Sequence, residues 1–269
     1  MSQRLVQIVA LVSYGNLCLQ KRDKEYPLGK LITDNCYRID FIDKPTEEIA
    51  GSTRVLATDA SKWFRYLTQN NAVKLKLHYH TASHSDLPDH ISAAFVGGGS
   101  HWLIEVQFKD HSDLYLSEWI PSEEWGLDTR KTHYVRFELS TPHLEDVVIP
   151  LEKARKNLDG VLQELVEFTS QFDYTENWAD YFTQSRRVLN EFEPDASDNF
   201  LPAGIYSKEA HQLIQTVFSS WCFGGMGSWN DLAFNGKDQD RYESLSGQLY
   251  TTLCDSLVTA VNTYPSKII

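Results

Sequence analysis

The hydrophobic pattern of this chain changes period near Pro150, and that switch limits the folds open to it more than any other feature. Before Pro150 the apolar residues mostly alternate. Tyr37, Ile39 and Phe41 alternate with Arg38 and Asp40, and Val73, Leu75, Leu77 and Tyr79 with Lys74, Lys76, His78 and His80. Trp102, Ile104, Val106 and Phe108 face one way, with Glu105 and Gln107 facing the other; Val135, Phe137 and Leu139 alternate with Arg136 and Glu138. Each such strand has one dry and one wet face, which predicts an antiparallel sheet covered on one side. Residues 5–12 read as a further strand, turning at Tyr14-Gly15-Asn16 into residues 17–20 as an opening hairpin. One helix interrupts, over residues 59–69, with Asp59 as its N-cap and Trp63, Tyr66 and Leu67 facing inward.

After Pro150 the spacing becomes three and four. Leu151, Ala154, Leu158, Val161, Leu165, Phe168 and Phe172 form one seam, with Pro150 at its first turn. A second helix, capped by Thr175, turns Trp178, Phe182, Ser185, Leu189 and Phe192 inward. Ser207 caps a third, with Ala210, Ile214, Val217 and Trp221, and residues 240–262 make a long last helix through Tyr242, Leu245, Leu249, Leu253 and Leu257. Residues 193–204, with two prolines, read as a loop. The fold expected is therefore α+β: a mostly antiparallel sheet with one helix in residues 1–149, then a layer of about four helices in residues 150–269. The two regions are either separate domains or one continuous unit.

Charge excludes one class of partner. The net charge is -12, and residues 101–200 carry 21 Asp/Glu against 9 Lys/Arg, so the excess sits in the middle of the chain. Such a surface repels phosphate backbones, and nucleic acid is not an expected ligand. It suits a basic protein partner. The four cysteines, Cys18, Cys36, Cys222 and Cys254, form no C-x-x-C pair and suit free thiols in a reducing compartment. No apolar run is long enough for a membrane span, and the first residues lack the flanks of a signal peptide, so a cytoplasmic protein with no membrane partner is expected.

Three segments could carry chemistry. Eight of the nine histidines fall between His78 and His143, and His78, His80, His84 and His90 form the densest group. His78 and His80 at i, i+2 on a strand share a face, as zinc ligands do. Set against the metallo-β-lactamase pattern H-x-H-x-D-H, however, Ala82 and Ser83 stand where its Asp and last His belong, and Lys74 and Lys76 bring positive charge to the same strand face. Gly97-Gly98-Gly99-Ser100 lacks the third glycine and the following helix of a dinucleotide fingerprint, and reads as a turn or bulge.

The run Trp221-Cys222-Phe223-Gly224-Gly225-Met226-Gly227-Ser228-Trp229-Asn230-Asp231 is neither a Walker loop nor a nucleophile elbow. Gly224 fits a left-handed helix stop, and Trp229 with Phe234 can plug a gap between helices. Its candidate binding residues are Trp229, Asn230 and Asp231; Glu123 and Glu124, beside Trp119 and Trp125, form a second candidate for gripping a sugar or cation. From Phe223 to Asp231, with Tyr242 and the final helix, the chain resembles the C-terminal end of uncharacterised bacterial proteins. That resemblance implies a bacterial origin and assigns no activity or site residue.

No catalytic constellation or cofactor motif is legible. The expectation is a non-enzymatic, protein-binding protein of the bacterial immunity or antitoxin kind, using its acidic surface. The alternatives are a hydrolytic, metal-dependent enzyme with its site in residues 78–101, and a homodimer joined along the seam from Leu151 to Phe172.

Overall fold

The computed structural model describes residues 3–21, 36–43, 53–81, 87–93, 95, 98–121, 130–139, 143–144, 149–194, 200–224 and 226–264. Their order is α1 (Gln3–Gln20), β1 (Cys36–Asp43), β2 (Arg54–Ala57), α2 (Ala60–Gln69), β3 (Lys74–His80), α3 (Asp89–Ser92), β4 (His101–Gln107), β5 (Ser112–Pro121), β6 (Arg130–Glu138), α4 (Leu151–Thr169), α5 (Glu176–Glu191), α6 (Lys208–Ser220) and α7 (Lys237–Asn262). The six strands form one sheet in the order β2-β1-β6-β5-β4-β3. Every neighbouring pair is antiparallel except β1 with β6, which is parallel. The fold is α+β, with the strands N-terminal and the helices mostly C-terminal.

The opening hairpin is overturned: residues 3–20 are one helix. Leu5, Ile8, Val9, Ala10, Leu11 and Val12 are all buried, with Gln7, Ser13 and Asn16 buried beside them, so the helix is covered on every side. A short continuous apolar run does not distinguish a buried strand from a buried helix, so the β-branched residues misdirect the reading. Gly15 is not a turn glycine. A Cβ there would lie 2.8 Å from a Leu75 methyl and 3.0 Å from the Phe64 ring, so its missing side chain lets α1 approach β3 and α2.

α2 is capped as expected, with the Asp59 carboxylate accepting from the Lys62 N–H at 2.8 Å. Its Trp63 stacks on Phe41 of β1 at 4.1 Å between ring centroids, and Phe41 in turn stacks on Tyr134 at 5.2 Å. The register thus puts Phe41 and Tyr134 on the helix-covered face, inverting the expectation for β6. Phe137, expected to be dry, is 45% exposed on the far side. That far side is not simply wet either. Val55, Ile42, Val135, Leu116, Leu103 and His78 form one register row across all six strands, and Ile42, Val135, Asp40 and Glu105 are buried there.

The four C-terminal helices follow their predicted seams. α4 packs on α5 and α7, α6 on α5 and α7, and α7 lies against α1 and β3. Leu158, Leu165 and Phe168 of the α4 seam are fully buried within this one chain, and Leu151, Val161 and Phe172 are partly buried. Ser207 caps α6 through its hydroxyl. Thr175 precedes α5 but donates its hydroxyl back to the Thr169 carbonyl at 2.6 Å instead of capping forward. Gly224 does not stop α6, which ends at Ser220; among the described residues of that segment the left-handed glycine is Gly227, at φ 82°. One buried apolar cluster runs from Leu5 through the strands to Val261. Among the described residues no helix is long and apolar enough to cross a membrane.

Candidate functional site

Of the residues singled out by sequence, Trp229 is fully buried. Its ring packs against Trp178, Phe182 and Tyr242 at 5.1–5.2 Å. Its indole N–H donates to Ser246 Oγ at 2.7 Å, and its carbonyl accepts from the Tyr242 hydroxyl at 2.6 Å. Such a residue packs as an interior plug. Asn230 donates to the His90 carbonyl at 2.8 Å, tying this segment to α3, while Asp231 is exposed and accepts from the Gly227 N–H. Glu123, Glu124 and His84 lie outside the described residues.

The described histidines of that group make separate hydrogen bonds and ring contacts, although His80 stands opposite His101 in the β3–β4 register. His78 bonds Glu105, His80 bonds its own neighbour's carbonyl at Thr81, and His90 sits edge-on to Phe223, where burial lowers its pKa. Among the described residues no three His, Cys, Asp or Glu side chains gather as a metal site would require. The glycine run is tightly packed: a Cβ on Gly98 would fall 1.9 Å from the Ser92 carbonyl oxygen, and Gly99 has φ 79°. The amide of Ser100 donates to the Tyr250 hydroxyl and its side chain to Asp89. Burial drives the Cys18 thiol up to about 12, and the Cys222 and Cys254 thiols upward too, so none of the three is a ready nucleophile.

Two arrangements emerge that were not read from the sequence. The first is the end of the helical layer around Asp231. The aromatic chain Tyr174, Phe234, Tyr242, Trp229 joins the turn between α4 and α5 to the start of α7, with ring centroids 5.1–5.8 Å apart. Residues 161–180 present exposed Glu164, Glu167, Asp173, Glu176 and Asp180, with no Lys or Arg among them. Residues 226–244 add exposed Asp231, Asp238, Asp240 and Glu243 against Lys237 and Arg241. Within these two segments nine exposed carboxylates stand against two cations, and Arg186 of α5 also interacts with Glu167; Tyr174 is 62% exposed and Met226 projects fully into solvent. Half of this was legible: the run from residue 157 to 185 contains six acids and no Lys or Arg. Its meeting with the start of α7 was not.

The second lies at the β3 edge. Glu105 of β4 is fully buried, and its carboxylate accepts from His78 Nε2 at 2.9 Å, Ser112 Oγ at 2.8 Å and the Leu144 amide at 3.1 Å. Burial alone would raise its pKa, but these hydrogen bonds outweigh it and hold the group down at about 2. The Ser112 hydroxyl also meets His143 Nδ1 at 2.7 Å. Alternation along β4 marks Glu105 as a wet-face residue, so only the register with β3 and β5 could reveal its burial. His78 is one wall residue of a groove of about 250 Å³ between β3 and the C-terminal half of α7.

The chain matches no known family model, and no curated protein sequence or solved structure is significantly similar to it.

Proposed function

We propose that the protein is non-enzymatic and binds a basic protein through the acidic end of its helical layer, in the manner of a bacterial immunity or antitoxin-like protein. The observation that supports this reading is the excess of nine exposed carboxylates over two cations in residues 161–180 and 226–244, two segments that meet where Phe234 packs on Phe172 and Tyr174. Helix dipoles account for Glu176, Asp238 and Asp240, which sit in first turns. They do not account for Glu164 and Glu167 in the last half of α4, or for Asp180, Asp231 and Glu243. A field of one sign steers a cationic partner and rejects anionic ones, while exposed Tyr and Met side chains supply adaptable apolar contact.

Affinity capture from the organism of origin tests this, comparing the wild type with the triple variant Glu164→Lys, Glu167→Lys, Asp180→Lys. These exposed positions leave the core untouched. A basic partner retained at about 50 mM salt, released near 300 mM and lost from the variant is the expected result. Equal recovery by wild type and variant overturns the reading.

A hydrolytic enzyme is the second reading, and the Glu105–His78 pair alone favours it: a carboxylate behind an imidazole is an acid–base arrangement. Ser112, however, contacts the carboxylate and His143 and is itself buried, which leaves His78 without an adjoining nucleophile among the described residues.

A further inference from the structure

The groove beside β3 brings cationic and anionic side chains to facing walls. One wall carries Lys74, Lys76 and His78; the other, from α7, carries Asp255, Val258 and Thr259. His78 is hydrogen-bonded to Glu105 behind it. Both lysines also interact within the chain, and what they add is a positive sign to that wall's potential. Asp255 stands on the opposite wall. One of its oxygens, Oδ1, accepts from the Tyr79 hydroxyl at 2.7 Å, and that bond holds the carboxylate in place without filling its remaining acceptor sites. Tyr79 itself is kept neutral, its pKa raised by burial and then by Asp255. Val258 and Ile149 supply apolar surface to the same groove.

Asn262, at the end of α7, donates to the Leu77 carbonyl at 2.9 Å and accepts from the Leu77 N–H at 2.8 Å, which pins the helix to the strand. A preformed groove with opposite charges on facing walls and an apolar part is suited to a small dipolar molecule. Polyanions and lipid surfaces would meet the net charge of -12 before reaching the lysines.

We infer that this groove binds a small zwitterionic amino acid with an apolar side chain, its carboxylate toward Lys74 and Lys76, its ammonium on Asp255, and its side chain on Val258 and Ile149. The site is independent of the acidic end, and neither reading depends on the other.

Titration of the full chain with L-leucine, followed by NMR at the Asn262 side-chain amide, tests the inference. Two analogues each lack one charge: 4-methylpentanoate has no ammonium, and 3-methylbutylamine has no carboxylate. Sodium chloride at matched ionic strength is the control. A saturable shift with L-leucine, at least tenfold weaker with either analogue, is expected. Asp255→Asn should weaken leucine binding about tenfold and leave any residual binding of 4-methylpentanoate unchanged. No saturable shift in the wild type, or equal binding of leucine and both analogues, overturns the proposal. The wild-type titration decides the matter even if the variant does not fold.

Discussion

Glu105 is the residue whose environment is least like its surroundings in sequence. A carboxylate with no exposed surface survives because His78, Ser112 and the Leu144 amide all donate to it. Its folded pKa of about 2 lies below the ordinary value of 4.5, so the sign of its contribution is set. The stabilisation is complete above pH 4.5 and disappears as pH falls toward 2, a difference of about 3 kcal/mol. Glu105→Gln should lower the urea midpoint at pH 6, and the gap from wild type should close as pH drops from 4.5 toward 2. A gap that stays constant over that window would show that the carboxylate is not the ionised partner of His78. The sequence places Glu105 on a strand but not under cover, because period-two alternation assigns a face and cannot say what lies over it.

At the scale of elements, the edge of β3 is closed by two side chains. Asn16 of α1 donates to the Leu75 carbonyl at 2.9 Å and accepts from its N–H at 2.8 Å, and Asn262 does the same at Leu77. Two carboxamides thus take the place of a seventh strand, and the edge has no free template for pairing at those residues. Asn262→Ala should cost about 1–3 kcal/mol by leaving the Leu77 groups unpaired, and should raise light scattering on heating. An unchanged thermal midpoint with no added scattering would refute this role. The α4, α5, α6 and α7 seams were legible because an amphipathic helix writes its period into the chain. α1 was not: with both faces buried it has no period to read, and Asn16 looked like part of a turn until β3 lay beside it.

Across the whole molecule, the buried cluster joins α1, the sheet and all four C-terminal helices without a break at Pro150. Trp63 and Trp102 report on the sheet, and Trp178 and Trp229 on the helical layer. Single-tryptophan variants should therefore unfold with coincident midpoints in urea; two separated transitions would restore an independent boundary between residues 149 and 150. The acidic end likewise belongs to the molecule as a whole, since residues 161–180 and 226–244 become one surface only when Phe234 packs against Phe172 and Tyr174. By itself the sequence determined what local periodicity and charge can carry: the class α+β, the C-terminal helices, most strands and the anionic middle. The tertiary structure alone decided which face of each strand is covered, that the first apolar run is a helix, and which distant charges meet. Those outcomes depend on register and on long-range burial, and neither leaves a pattern in neighbouring residues.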